Sequence, residues 1–172
     1  MTVNLMDYIR NFPDFPRQGI AFKDISPLIQ DAEAFKSAVE QLASRFNEFK
    51  IDIVVGIEAR GYIIGAALAY KLGTGFVPIR KPGKLPGKTF TTNYELEYGV
   101  TTTEIHQDAL VEGQQVLLVD DVLATGGTLE AGLTLINKTK ATVIGIAVLL
   151  ELIQLAGREK LAGYQVETLL RM

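Results

Sequence analysis

Apolar segments of two kinds alternate along this chain. One kind is amphipathic: Phe35, Val39, Leu42 and Phe46 recur at helical spacing behind Asp31, which can cap the helix that they predict. The other kind is short, continuous and rich in β-branched residues, which predicts strands. Four such runs are found, at residues 51–57, 76–79, 115–119 and 142–150.

Two more helices are predicted between these strands. Small residues make up much of the segment from Gly61 to Leu72, and Leu129, Leu133 and Ile136 form the apolar stripe of the other helix. Strands that alternate with helices indicate a parallel sheet covered on both faces. We therefore expect one doubly wound α/β domain over residues 1–172, with a mostly parallel central sheet and accessory segments at both ends.

Two regions depart from this pattern. Residues 4–11 predict a short helix that leads into an arm rich in proline and aromatic residues. Residues 80–93 form a predicted long loop with four cations, no acid and two Pro-Gly pairs. Such a loop is either an active-site lid or a solvated, disordered connection.

Composition excludes several classes of protein. The 172 residues carry 17 Lys and Arg against 20 Asp and Glu, a net charge of −3 that disfavours a general nucleic-acid binder. Cysteine is absent, which excludes disulfides, thiolate zinc sites and cysteine nucleophiles. No apolar run approaches a membrane span or a signal peptide. We expect a cytoplasmic protein without a membrane or nucleic-acid partner.

Two motifs fail on inspection. Gly87-Lys88-Thr89 resembles the end of a phosphate-binding P-loop, but the position that requires the first glycine is Pro82. His106 is the only histidine, and without cysteine or a second histidine it cannot anchor an imidazole-rich metal site. We expect a structural or surface role for it.

The strongest signal lies between Val116 and Thr128. An apolar strand ends in two adjacent carboxylates, Asp120 and Asp121, and the chain then turns through small residues into a helix. Ligands of open α/β sheets bind at the carboxyl ends of the strands, and a glycine turn at a helix N-terminus offers backbone N–H groups to a phosphate. Carboxylates beside a phosphate site suit a sugar phosphate or Mg²⁺.

The same segment resembles the phosphoribosyl pyrophosphate (PRPP) signature of type I phosphoribosyltransferases. Further segments resemble the adenine-specific branch of that family, in order along nearly the whole chain. They are the arm at residues 12–16 and 22–27, the turn at 56–61, the lid at 80–86 and 94–99, and the late segment 157–161.

The resemblance implies roles for these residues. Asp120 and Asp121 would accept hydrogen bonds from the ribose hydroxyls, and Arg60 would hold pyrophosphate and assist catalysis. The 5′-phosphate would be bound by Ala124, Thr125, Gly126, Gly127 and Thr128. The other pyrophosphate contacts would come from Ala59, Arg80, Lys81, Lys84 and Tyr98.

It also implies how the base is bound. Residues 1–30 would form a hood over adenine, with Phe22 stacking on the ring and the backbone near Ala21 and Lys23 reading its edge. The lid and hairpin at 80–99 would be flexible and would carry Glu97, whose carboxylate approaches N7 of the purine and transfers its proton. Alternatively, Glu95 and Glu97 are solvent-facing acids of a hairpin strand.

The implied reaction is adenine plus PRPP giving AMP and pyrophosphate, with Mg²⁺ held mainly through PRPP and water, in a homodimer. A transferase for xanthine or hypoxanthine is the nearest rival. A PRPP-sensing regulator without turnover is the rival of a different class. Such regulators usually add a DNA-binding domain, for which the roughly 50 residues before the first predicted core strand leave little room.

Overall fold

A computed structural model describes residues 3–96 and 99–172. Its elements alternate between strands and helices through most of the chain. In order they are a 3₁₀ helix Leu5–Tyr8, β1 Arg10–Phe12, β2 Phe22–Asp24, α1 Ser26–Gln30, α2 Ala32–Ser44, β3 Ile53–Ile57, α3 Arg60–Leu72, β4 Gly75–Ile79, β5 Thr89–Leu96, β6 Gly99–His106, β7 Gln115–Leu123, α4 Gly127–Lys138, β8 Thr142–Glu151, the 3₁₀ helices Ile153–Leu155 and Gly157–Leu161, and β9 Val166–Arg171.

Five of these strands form the central sheet, in the order β4-β3-β7-β8-β9, and every neighbouring pair is parallel. From β3 the chain moves outward to β4 and then returns to place β7 on the other side of β3. The direction of winding therefore reverses between β3 and β7, and such a reversal opens a crevice at the carboxyl edge of a sheet. The predicted α/β fold with a mostly parallel sheet is confirmed.

Both faces of the sheet are buried, and alternate residues of β7 show it. Val116 and Leu118 pack into one apolar cluster, together with Leu129, Leu133 and Ile136 of α4. Leu117 and Val119 pack into the opposite cluster, which includes residues of α2 and α3. Because side chains alternate across a strand, a strand between two helical layers must be apolar at every position.

Helix α2 begins as its sequence predicts. The Asp31 carboxylate accepts a hydrogen bond of 2.9 Å from the backbone N–H of Ala34, which is the expected contact of an N-cap. The predicted stripe on this helix is largely buried, with Leu42 fully enclosed and Phe46 covered just beyond the last turn.

Three details of the prediction are wrong. Residues 4–11 do not form one helix, because the chain leaves a 3₁₀ turn at Tyr8 and pairs β1 with β2. The loop after Ile79 is shorter than expected, since β5 begins at Thr89 and pairs with β6. Asp120 and Asp121 do not end their strand, because β7 continues alongside β8 as far as Leu123.

None of the helices within residues 3–96 and 99–172 is both long enough and apolar enough to cross a bilayer.

Candidate active site

The reversal between β3 and β7 brings two turns together. One turn runs from Glu58 to α3, and the other runs from Leu123 to α4. Gly61, the second residue of α3, lies against β7, and a Cβ atom on it would come within 2.9 Å of Asp120 Oδ1 and 3.1 Å of the Val119 carbonyl oxygen. Only glycine allows α3 to approach β7 this closely, so Gly61 places the Glu58 turn beside Asp120.

Asp120 and Asp121 form the floor of this site, and both residues are at most 7% exposed. Asp120 Oδ1 accepts a hydrogen bond of 2.9 Å from the backbone N–H of Asp121. Burial and the adjacent Asp121 carboxylate raise the pKa of Asp120 well above its ordinary value. No residue within 3–96 or 99–172 donates a hydrogen bond to Asp121 Oδ2. Two buried carboxylates with spare acceptor capacity suit a ligand that brings hydroxyl groups or a cation.

Residues 124–128, the phosphate loop, follow directly. Gly126 has a φ of +81°, which L side chains rarely adopt, and it is the N-cap of α4. The first N–H groups of a helix have no intrahelical acceptor, so the start of α4 can bind an anion. Ala124, Thr125, Gly126, Gly127 and Thr128 thus lie at the start of α4, and their binding of a phosphate stays a prediction.

Arg60 joins the floor of the site to the amino-terminal arm. Its Nε lies 2.8 Å from Asp121 Oδ2 in an ion pair, although the alignment does not make a hydrogen bond. Its guanidinium carbon lies 4.9 Å from the centre of the Phe22 ring, a cation–π contact, and Nη1 donates to the Lys23 carbonyl at 3.4 Å. The structure thus brings Arg60 together with Asp121, Phe22 and Lys23, whose roles in binding stay predictions.

The arm itself is held by a carboxylate. Asp24 accepts hydrogen bonds of 2.9 and 2.6 Å from Arg10, across the β1–β2 pair. It also accepts bonds from the backbone N–H and the hydroxyl of Ser26, and these hydrogen bonds lower the pKa of Asp24 to about 2. Because Asp24 ends β2, the network fixes the strand that contains Phe22 and Lys23. Ala21 is exposed beside it, and Phe15 packs edge-on against Phe22 at 5.2 Å.

The predicted lid is anchored by two carboxylates. Glu58 Oε2 accepts a hydrogen bond of 2.8 Å from the Lys81 backbone N–H and lies 3.5 Å from Arg80 Nε. Glu104, buried on β6, accepts bonds from the backbone N–H groups of Lys84 and Leu85 at 3.1 and 3.0 Å. The side chains of Lys81 and Lys84 are exposed. Arg80 and the Lys81 backbone therefore lie beside the Glu58 turn, and the lysine side chains are open to solvent.

Sequence reasoning missed three residues. Glu58 and Glu104 anchor the lid, and Tyr94 is half-buried close enough to Thr128 for that side chain to influence its pKa. Burial raises the pKa of Tyr94 above its ordinary value. Alternation along β6 gives no signal for Glu104, because Thr103, Glu104 and Ile105 are all buried.

Two predicted residues, Glu97 and Tyr98, lie outside the described residues. His106 has a structural contact, with its Nε2 2.8 Å from the Pro86 carbonyl oxygen. Among the residues that the structure describes, no three His, Cys, Asp or Glu side chains gather to hold a metal ion.

Comparison with known proteins gives a consistent result. The phosphoribosyl transferase domain family matches residues 28–168. A curated adenine phosphoribosyltransferase of Halothermothrix orenii is 54% identical over 169 residues, which cover 98% of this chain and 99% of that protein. This chain belongs to the adenine phosphoribosyltransferase family. Its match extends over both turns of the site and the amino-terminal arm.

Solved structures of the family have the same fold. The enzyme of Thermoanaerobacter pseudethanolicus superposes with a TM-score of 0.95 at 50% identity, over 98% of both chains. The enzyme of Saccharomyces cerevisiae has a TM-score of 0.90 at 40% identity, over 96% of both chains, and was crystallised with an imino-altritol bisphosphate and adenine. That yeast complex contains both a sugar-phosphate analogue and the base.

Proposed function

We propose that this protein transfers the 5-phosphoribosyl group of PRPP to adenine, giving AMP and pyrophosphate, and so salvages the free base. One observation carries the proposal above all. The buried pair Asp120 and Asp121 leads directly into the phosphate loop, beside an arginine that stacks on the arm's aromatic ring. A sugar with a phosphate on one side and a base on the other fits this order of groups.

The sugar phosphate is bound at the carboxyl end of β7. Ribose hydroxyls donate to Asp120 and Asp121, and Asp121 Oδ2 is available for such a donor. The 5′-phosphate accepts hydrogen bonds from the phosphate loop, where the start of α4 stabilises negative charge. Burial and Asp121 raise the pKa of Asp120, and hydroxyl donors or a cation bound at this site lower it again.

Arg60 changes partner in this proposal. Without ligand, its guanidinium neutralises Asp121 and covers Phe22. With PRPP bound, the ribose hydroxyls take over Asp121, and the planar guanidinium donates to the pyrophosphate, for which its fork is well suited. Ala59, at the turn, and the lid residues Arg80, Lys81, Lys84 and Tyr98 complete the pyrophosphate contacts.

The base lies against the arm. Adenine stacks on Phe22, and backbone groups near Ala21 and Lys23 read its edge. The bond from C1′ to pyrophosphate breaks as N9 bonds to C1′, and the base loses one proton. Glu97 takes or holds that proton at N7. Closure of residues 80–99 excludes water from the reacting sugar.

The site fits Mg²⁺ bound mainly through the substrate. Asp120 and Asp121 offer two buried carboxylates, fewer ligands than an all-protein cage supplies, and Mg²⁺ commonly uses one or two carboxylates together with substrate phosphates. The ion would neutralise charge on the departing pyrophosphate.

We further propose a homodimer in which Arg80 acts on the partner's pyrophosphate site. Helix α3 presents Ile63, Ala66 and Tyr70 along one exposed face, with Ile63 41% and Tyr70 91% exposed. Such a face suits a second copy of the chain. Arg80 Nε lies 3.5 Å from Glu58 Oε2 and Nη1 donates to the Lys84 carbonyl at 3.1 Å, so the guanidinium would leave these contacts to reach the partner's site. The cytoplasmic location stays a prediction from the sequence.

Chromatography of the reaction products tests the function. The protein is incubated with PRPP, Mg²⁺ and each of adenine, hypoxanthine, guanine and xanthine in turn. AMP should form from adenine, with pyrophosphate in equal amount, and the other bases should give little nucleotide. Faster turnover of another purine would reassign the base, and PRPP binding without any nucleotide would favour the non-catalytic regulator.

A further inference from the structure

The phosphate loop rests on another stretch of backbone. A Cβ atom on Gly157 would overlap the Ala124 carbonyl oxygen and come within 2.8 Å of the Gly126 nitrogen. A Cβ atom on Gly126 would likewise overlap the Gly157 carbonyl oxygen. The two backbones are therefore in direct contact, and any displacement of Gly157 moves the surface that supports the loop.

The loop has little support of its own. Gly126, the N-cap of α4, has no side chain, and none of the described side chains provides a capping hydrogen bond there. A glycine-rich loop has high conformational freedom, so its N–H groups converge on a phosphate only if neighbouring structure fixes them. Gly157 is such a neighbour, because its backbone contacts both Ala124 and Gly126.

Arg158 fixes Gly157. Its Nε and Nη2 donate hydrogen bonds of 2.9 and 2.6 Å to the two carboxylate oxygens of Glu151, and its Nη1 donates at 2.9 Å to the Val166 carbonyl. A bidentate arginine–carboxylate pair fixes orientation as well as distance. The pairing with Arg158 lowers the pKa of Glu151 below its ordinary value, so the carboxylate is charged at neutral pH.

Glu151 is itself fixed to the start of the loop. It pairs with Leu123 in the β7–β8 register, and the next backbone N–H, that of Leu152, donates to the Leu123 carbonyl at 2.9 Å. Leu123 immediately precedes Ala124. A closed chain of contacts thus runs from Leu123 through Glu151, Arg158 and Gly157 back to the phosphate loop.

We propose that Arg158 is a positioning residue for the 5′-phosphate of PRPP, which acts through Gly157 on the loop and touches no substrate. This inference rests on the proposed function of the loop. It predicts a selective effect: loss of the Arg158–Glu151 pair weakens PRPP binding and leaves the base site and the chemical step intact.

The test compares Arg158→Gln and Arg158→Lys with Arg171→Gln. Arg171 is the matched control, because its Nε lies 3.3 Å from Glu151 Oε2 although the residue does not adjoin the loop. Kinetics with each substrate varied in turn are measured for every variant that gives a wild-type circular dichroism spectrum. Binding of PRPP is measured by calorimetry.

We expect Arg158→Gln to raise the KM and the Kd for PRPP about tenfold, the size of one lost charge-assisted contact, while kcat and the KM for adenine change less than twofold. Arg158→Lys keeps the positive charge but not the two parallel N–H donors, so its Kd for PRPP should lie between those of the wild type and Arg158→Gln. Arg171→Gln should bind PRPP like the wild type.

Equal losses for both substrates, or equal losses in Arg171→Gln, would overturn the proposal in favour of a general effect on the fold. Unchanged PRPP affinity in Arg158→Gln, or in Arg158→Lys if the glutamine variant does not fold, would also overturn it. An inactive wild-type protein that binds PRPP would instead contradict the proposed function, and the calorimetric comparison would still decide the role of Arg158.

Discussion

Replacement of Gly126 by alanine should separate the two demands that the phosphate loop makes on this position. The first is conformational, since the residue has a φ of +81°. An L residue in the left-handed region costs about 1–2 kcal/mol of stability. The second is steric, since the new Cβ atom would overlap the Gly157 carbonyl oxygen and force the loop to move.

The steric demand should appear in substrate binding. A shifted loop loses at least one hydrogen bond to the phosphate, and a bond to a charged group is worth about 1.5–3 kcal/mol. The KM for PRPP should therefore rise about 10- to 150-fold, since every 1.4 kcal/mol is tenfold. The KM for adenine should change little, because the arm at Phe22 does not contact Gly126.

Gly113→Ala is the matched control. Gly113 has a nearly equal φ of +79°, but no heavy atom of the described residues lies within 4 Å of a Cβ placed on it. The control should lose similar stability in thermal unfolding and keep the wild-type KM for PRPP. If Gly126→Ala also keeps that KM while losing stability, the phosphate does not bind at this loop, and the reasoning is refuted.

Three other predictions concern the base, the arm and the subunit contact. Glu97→Gln should lower kcat by roughly 10²–10⁴-fold in steady-state assays, the usual effect of losing a general acid or base. The exposed control Glu112→Gln should keep a kcat near that of the wild type. An equal loss of kcat in both variants would contradict proton transfer by Glu97. Asp24→Asn should cost about 1–2 kcal/mol at pH 7 in denaturant unfolding. Since the folded pKa of Asp24 is about 2 against an ordinary 3.8, this difference should be complete above about pH 5 and be lost as pH falls through 3.8 towards 2. A difference that persists undiminished at pH 2 would exclude the ionised carboxylate as its cause. If Arg80 acts across a dimer, mixing Arg80→Ala chains with Glu97→Gln chains should give more activity than either variant alone. Subunit exchange is verified by native mass spectrometry. If exchange occurs without recovery of activity, Arg80 acts in its own subunit's site.

The layered part of the fold was predictable because its signals are local. The apolar stripe on α2 indicates a helix buried on one face, and the uniformly apolar core of β7 indicates a strand buried on both. The two hydrophobic clusters of the structure agree with both predictions. The boundaries were less predictable. Asp120 and Asp121 interrupt the apolar run, yet the strand continues, because pairing with β8 supplies backbone partners that a hydrophobic pattern does not reveal.

The missed parts depend on contacts between distant segments. Arg10 pairs with Asp24 across 14 positions, and this contact turns a predicted helix end into a strand pair. Glu104 holds the lid 20 positions away through backbone N–H groups, which have no sequence signature. The order of the site residues along β7 and the following turn could be predicted from their spacing. The contact of Arg60 with Phe22 could not, because these residues lie on segments that only the folded chain brings together.

A crystal structure with bound AMP tests the central claim most directly, because AMP contains the phosphate, the sugar and the base together. We expect the 5′-phosphate to lie on the N–H groups of the phosphate loop, the ribose hydroxyls on Asp120 and Asp121, and the adenine ring on Phe22. Arg60 should then have left Asp121. AMP bound away from the β3–β7 crevice, or with its phosphate outside this loop, would contradict the account.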